Sequence, residues 1–138
     1  MKPTAIFLPA IALMLWTLLI LLQVPIRRFS AYFSKRVGYF DFQYGESSSV
    51  PADVTLPNRV FMNLLEVPVL FYVSLLICYT TNIVSPFLVY LAWAYFFLRV
   101  VHSVIYLTYN HIIHRFAVFA SSNVVLLALV IYLAASLV

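Results

Sequence analysis

Four long apolar stretches fix the environment in which this chain can fold. Each comes close to the roughly 20 apolar residues with which an α-helix crosses a bilayer. Only 9% of the 138 residues are charged and 65% are hydrophobic, so the chain would be insoluble as a globule in water. The sequence predicts one all-α domain over residues 1–138, an integral membrane four-helix bundle. Its predicted helices cover residues 4–24, 58–80, 86–109 and 115–137.

The only long polar stretch, residues 25–57, is predicted to be a loop. Helix one should end before it, because Pro25 and the arginines that follow suit a membrane surface better than its interior. The first apolar stretch is longer than a signal-peptide core and no small-residue cleavage site follows it, so we expect this helix to be retained. Basic residues gather at the first and third connections, which the positive-inside rule places in the cytoplasm, with both termini on the opposite side. These residues are Arg27, Arg28, Lys35, Arg36, Arg59 and Arg115.

Helix two carries a polar face inside an apolar segment. Arg59, Asn63 and Glu66 stand at i, i+4 and i+7 and therefore share one side of the helix. An ionisable group within a transmembrane segment costs on the order of 3 kcal/mol or more, so such a cluster predicts a binding or catalytic site. Asn58 should cap the start of this helix, and Pro68 should kink it just after Glu66.

Helix three carries a second polar face, and the third connection adds a cation beyond it. Arg59, Arg99 and Arg115 give three positive charges against the single negative charge of Glu66, which leaves a surplus of two. A partly buried surplus of cations favours an anionic ligand, and the planar arginine fork suits a carboxylate or a phosphate. The residues at i, i+3, i+4 and i+7 of helix three are Arg99, His102, Ser103 and Tyr106.

Several simpler interpretations stay open. An Arg and a Glu in membrane helices can form a structural pair between helices rather than a site. His111 and His114 stand at i, i+3, but no third ligand is close in sequence, so no metal site is predicted. Cys78 lies in an apolar helix and is expected to be a buried structural thiol. The net charge is +4 without a basic stripe, so nucleic acid is not an expected partner.

The aromatic residues of helix three have two readings. Tyr95, Phe96 and Phe97 can line the path by which a lipophilic substrate reaches the site. They can equally belong to an aromatic belt at the membrane surface.

Taken together, these motifs resemble the MAPEG family, the membrane-associated proteins in eicosanoid and glutathione metabolism. The resemblance rests on RVFMNLLEVP at residues 59–68 and RVVHSVIY at residues 99–106, followed by Arg115. It implies a homotrimer of four-helix subunits, with glutathione as the co-substrate in sites between adjacent subunits. The lipid membrane and a lipophilic small molecule would be the other partners.

The resemblance also implies a role for each site residue. Arg59, Asn63 and Glu66 would hold the polar ends of glutathione, with Glu66 at its ammonium group. Arg115 would face the sulfur, where a cation lowers the thiol pKa and favours the nucleophilic thiolate. Arg99, His102 and Tyr106 would line the same pocket, and these three residues and Arg115 would come from an adjacent subunit.

Three departures from the family pattern leave two functions open. Phe116 and Phe119 stand where catalytic relatives often carry a serine and a tyrosine, and Pro25 stands where some relatives have an arginine. Arg27 or Arg28 can substitute for that arginine. One function is a glutathione-dependent transferase or peroxidase acting on lipophilic electrophiles or lipid hydroperoxides. The alternative is a non-catalytic lipid-binding or scaffold member of the same family.

Overall fold

The computed structural model describes residues 2–137 as an all-helical chain without strands in that range. Short 3₁₀ turns cover Pro3–Ile6 and Tyr39–Phe42. The α-helices are α1 (Phe7–Phe33), α2 (Ala52–Glu66), α3 (Pro68–Thr80), α4 (Pro86–Leu107) and α5 (Ile112–Leu137).

Four helical segments are long and apolar enough to cross a membrane, because α2 and α3 together make one span over Ala52–Thr80. The chain is therefore an integral multi-pass membrane protein. The break between α2 and α3 falls at Val67, directly after Glu66, where Pro68 predicted a kink. Proline has no backbone N–H, so it cannot complete the usual hydrogen bond to the carbonyl of Leu64.

Helix α1 extends well past the predicted end at residue 24, and this prediction was wrong. Pro25 lies inside the helix, which continues through both arginines to Phe33. The extension has its own small core, in which the buried side chain of Ala31 packs with three buried valines. Burial of Ala31 against this core stabilises the helical turns after Pro25, which lie beyond the length needed to cross the membrane. The valines are Val37, Val50 and Val54.

The same small core moves the start of the second span. Helix α2 begins at Ala52 rather than at Asn58, so Asn58 lies inside the helix and is not its cap. Arg36 donates two hydrogen bonds to the Asp53 carboxylate, at 2.7 and 3.1 Å, and so ties the end of α1 to the first turn of α2. Residues 25–57 are thus a folded connection with helical ends rather than an open loop.

The connection between α1 and α2 also contains a carboxylate cap. Asp41 accepts hydrogen bonds from the backbone N–H of Gly38 at 2.6 Å and from the hydroxyls of Ser47 and Ser49. These donors, first of all the Gly38 N–H, lower the pKa of the Asp41 carboxyl below its ordinary value. The ionised carboxylate therefore helps to order the connection.

The last two helices differ slightly from their predicted bounds. Helix α4 ends at Leu107 instead of residue 109, and α5 begins at Ile112 instead of residue 115. Asn110 makes the turn with a φ of 45°, a left-handed conformation that asparagine tolerates better than most residues. Arg115 consequently lies in the first turn of α5, whereas the second polar face predicted from sequence lies on α4.

The main core holds these spans side by side. Helix α4 packs along α5, and α1 packs along α2. The core is apolar where they meet, with Leu64, Phe71, Tyr95 and Leu129 all at most 1% exposed. The polar face of α4 points into this bundle, because Arg99, His102 and Ser103 are also buried. Cys78 is buried, as predicted.

Candidate functional site

Arg99 is the centre of the candidate site and is completely buried, with 0% exposure. Its Nε donates a hydrogen bond to the Tyr95 hydroxyl at 3.0 Å, and its Nη1 donates to Oδ1 of Asn63 at 3.2 Å. Its Nη2 is buried and has no hydrogen-bond partner within residues 2–137. One guanidinium thus joins α4 to α2 and keeps an unused donor.

No carboxylate balances this charge within the described part of the chain. The ion pairs of residues 2–137 are Arg28 with Glu46 and Arg36 with Asp53, both outside the site. The structural pair between Glu66 and an arginine, which the sequence left open, does not form within residues 2–137. A buried guanidinium without a counter-ion is costly, so the site is suited to an anion.

Aromatic rings lie beside the buried guanidinium, and ring contacts continue from them along α4. The Phe119 ring of α5 lies 5.1 Å from Cζ of Arg99 and 5.6 Å from the His102 ring. The Tyr106 ring lies 5.9 Å from the His102 ring, measured between centroids. Below them, the Ser103 hydroxyl donates to the carbonyl of Arg99 and so is used within the helix.

Arg115 reaches the same cluster from α5. Its Cζ lies 4.2 Å from the centroid of the Tyr106 ring, a cation–π distance. Its Nη1 donates a hydrogen bond to Oδ1 of Asn110 at 2.7 Å, which fixes the side chain against the preceding turn. The guanidinium is only partly buried, so it borders the cluster on its accessible side.

The structure therefore brings five of the seven predicted residues into one set of contacts, which we call the site cluster: Asn63, Arg99, His102, Tyr106 and Arg115. Arg59 and Glu66 lie apart from these contacts. Both are exposed, and neither makes a side-chain hydrogen bond or an ion pair within residues 2–137. They stand on the outward side of α2, beside the half-buried Asn63.

The arrangement corrects one implication of the resemblance. Asn63 and Arg99 are hydrogen bonded within a single chain, so the polar face of α4 need not come from an adjacent subunit to meet α2. Arg59 and Glu66 also belong to the polar face of α2, but they are exposed and face outward.

Comparison with known families decides the relationship. The family model of MAPEG matches residues 6–135 of the 138-residue chain. The chain belongs to the MAPEG family. Neither the search of curated proteins nor the search of solved structures gave a match. The match spans all four membrane helices of this MAPEG protein, including both motifs that carry the resemblance.

Two further residues of this MAPEG protein belong beside the site cluster, and their roles there were not predicted from sequence. Tyr95 is 0% exposed and hydrogen bonds to Arg99, so it cannot line an access path from the lipid. Tyr95 stands at i−4 from Arg99, on the same helix face, and this spacing could have predicted the contact between them. Asn110 holds Arg115 but lies in a turn, where periodicity predicts no facing partner.

Metal-binding residues do not converge on the site cluster. Within residues 2–137, no group of three or more His, Cys, Asp or Glu side chains is close enough to hold an ion. The His111 and His114 rings do lie 4.5 Å apart, but both are exposed, and Nδ1 of His114 is 3.2 Å from the Tyr109 hydroxyl. Arginines, an amide and a phenol instead form a donor set for an anionic organic ligand.

Proposed function

We propose that this MAPEG protein is a glutathione-dependent transferase or peroxidase acting on lipophilic electrophiles or lipid hydroperoxides. The observation that carries the proposal is Arg99, a fully buried guanidinium with an unused donor and no carboxylate partner. Such a group is stable only if an anion or a dense set of acceptors meets it.

Glutathione fits the charge of these residues. Its thiolate form carries two carboxylates, one ammonium and one thiolate, which sum to a net charge of minus two. Arg59, Arg99 and Arg115 carry three positive charges and Glu66 carries one negative charge, so the four side chains sum to plus two. In the proposal the cations meet the carboxylates and the thiolate, and Glu66 meets the ammonium group.

Arg115 is the residue proposed to act on the sulfur. A guanidinium next to a thiol favours the thiolate, and the thiol proton leaves to water. The thiolate then forms a C–S bond with an electrophilic carbon, and the leaving group departs with the bonding electrons. With a hydroperoxide, the sulfur attacks the terminal oxygen and releases an alkoxide that is protonated, and a second glutathione reduces the sulfenic acid to give the disulfide and water.

The second substrate would arrive through the membrane. Trp93, Phe96 and Phe97 form a cluster on α4, with ring centroids 5.1 to 5.8 Å apart. Phe97 is exposed on the lipid side of the bundle, two residues before Arg99 along the helix. Apolar walls of this kind favour a lipophilic substrate without selecting a particular one.

A homotrimer with sites between subunits is part of the proposal. Arg59 and Glu66 are exposed charges on a membrane helix, and such groups normally face a protein partner or a water-filled cavity. A second copy packed on this side of α2 would cover them and close the ligand site. The positive-inside rule favours both termini outside the cytoplasm, with the basic connection between α1 and α2 on the cytoplasmic side.

A non-catalytic lipid-binding role is the second candidate, and Phe119 favours it. This ring packs against both Arg99 and His102, where a tyrosine hydroxyl would assist at the sulfur in catalytic relatives. Phe116 is exposed and likewise supplies no hydroxyl. A protein of this kind would bind lipid on the same apolar surfaces without activating a thiol.

Turnover separates the two candidates. Purified protein is mixed with glutathione and either an aryl halide or an organic hydroperoxide, and conjugate or glutathione disulfide is measured. We expect turnover in the wild-type protein and a fall of about 100-fold or more in Arg115→Ala, as for removal of a donor that stabilises developing charge. His114→Ala, an exposed change one residue away, is the matched control. Absence of both products in the wild-type protein would favour the non-catalytic role.

A further inference from the structure

A cavity of about 780 Å³ lies between the end of α1 and the 3₁₀ turn at Tyr39–Phe42. It shares no lining residue with the site cluster. Its walls are formed mainly by aromatic rings, with one arginine among them. The aromatic lining residues are Phe29, Tyr32, Tyr39, Phe40 and Phe42.

The lining is matched to a ligand that carries both signs of charge. Arg28 lines the cavity, and its Nη2 donates to Oε1 of Glu46 at 2.9 Å, so the one cation of the lining is already paired with a carboxylate. Nη1 makes no hydrogen bond and is not a buried atom, so it can still meet an acceptor. The Phe42 ring already carries the Arg28 guanidinium, with Cζ 4.8 Å from the ring centroid. The remaining aromatic faces attract a cation, an ammonium or quaternary ammonium group above all.

The position of the cavity selects a membrane ligand. Helix residues Pro3–Phe33 number 31, which at about 1.5 Å per residue is about 46 Å, longer than a hydrocarbon layer of about 30 Å. The turns after Pro25 therefore reach the headgroup layer. Phe29, Phe33 and Phe40 are all more than half exposed there, as expected of side chains in contact with lipid headgroups.

We propose that this cavity binds the headgroup of a zwitterionic phospholipid. The phosphate oxygens accept hydrogen bonds from Arg28, and the ammonium group lies among the aromatic rings. The acyl chains leave along the exposed apolar face of α1 towards the hydrocarbon layer. The proposal uses no residue of the site cluster, and it assigns Arg28 to the lipid phosphate rather than to glutathione.

Lipid retention tests the proposal. The purified protein, in its native oligomeric state, is equilibrated with vesicles of equal parts phosphatidylcholine, phosphatidylethanolamine and phosphatidylglycerol, and retained lipids are counted by native mass spectrometry. We expect one or both zwitterionic lipids to be retained above phosphatidylglycerol. Phe40→Ala should reduce that retention about three- to ten-fold, through loss of a cation–π wall. Tyr44→Ala is the control, since Tyr44 is 94% exposed and does not line the cavity.

A second pair of variants tests the phosphate contact. Arg28→Gln should reduce retention of the zwitterionic lipids, whereas Arg36→Gln removes the other ion pair of the same segment and should leave retention unchanged. Phe40 is 77% exposed, so Phe40→Ala remains informative even if Arg28→Gln fails to fold.

Four results would overturn the proposal: equal retention of the three lipids, preference for phosphatidylglycerol, equal losses in Phe40→Ala and Tyr44→Ala, or displacement of the retained lipid by glutathione. The last result would assign the cavity to the thiol site.

Discussion

At the residue scale, Arg99 gives the strongest constraint on ligand chemistry. Its guanidinium is held by two neutral acceptors, the Tyr95 hydroxyl and the Asn63 amide, and not by a carboxylate. Neutral acceptors fix the position of the side chain without cancelling its charge. The charge is thereby left available to a ligand.

Substitution of Asn63 should separate stability from binding. Asn63→Asp places a carboxylate next to Arg99, so we expect a higher thermal unfolding midpoint in detergent but weaker binding of an anionic ligand. Asn63→Ala removes an acceptor from a buried cation and should destabilise the protein by about 1–3 kcal/mol. A higher unfolding midpoint in Asn63→Asp together with a lower one in Asn63→Ala would support an uncompensated positive charge on Arg99. If Asn63→Asp were less stable than the wild-type protein, Arg99 would already be neutralised.

Glu66 makes a separate prediction, because it is exposed and unpaired within residues 2–137. If it meets the ammonium group of glutathione, Glu66→Gln should weaken binding by about 1.5–3 kcal/mol, as for a charge-assisted hydrogen bond. Calorimetric titration measures this loss, with Glu46→Gln as a control outside the site cluster. Unchanged affinity in Glu66→Gln would remove this residue from the ligand site.

At the scale of the helices, the sequence predicted the number of membrane spans correctly but not the residues at which the helices begin and end. Periodicity correctly predicted the shared face of Arg99, His102 and Ser103, because burial of a helix face follows its own sequence. It did not predict that α1 continues to Phe33, since the turns beyond Pro25 depend on packing against the distant Val54. Nor did it predict the exposure of Arg59, because the rotation of α2 depends on its neighbours.

The connection between α1 and α2 should be sensitive to acid. The pKa of the Asp41 carboxyl is lowered in the folded protein, so its contribution to stability is present at neutral pH and is lost as the pH falls through that lowered pKa. Limited proteolysis should show faster cleavage between residues 34 and 51 at strongly acidic pH than at neutral pH. Asp41→Asn should show fast cleavage already at neutral pH. Equal cleavage of both proteins at neutral pH would contradict this role.

At the scale of the whole molecule, the outward position of Arg59 and Glu66 predicts a site shared between copies. Oligomers assembled from an equal mixture of Glu66→Gln and Arg115→Ala subunits should regain glutathione binding, because in roughly a quarter of sites between copies both residues are intact. Oligomers of Glu66→Gln alone or of Arg115→Ala alone should not regain glutathione binding. Mixed oligomers that bind no better than the unmixed variants would place both residues in one subunit.

In the proposed function Arg115 stabilises a bound glutathione thiolate, a species that ultraviolet difference absorbance detects without turnover. Purified protein is titrated with glutathione near neutral pH, beside Arg115→Ala and the His114→Ala control. We predict a saturable thiolate band in the wild-type protein and in His114→Ala, and its loss in Arg115→Ala. Absence of the band in the wild-type protein, or an undiminished band in Arg115→Ala, would contradict the claim.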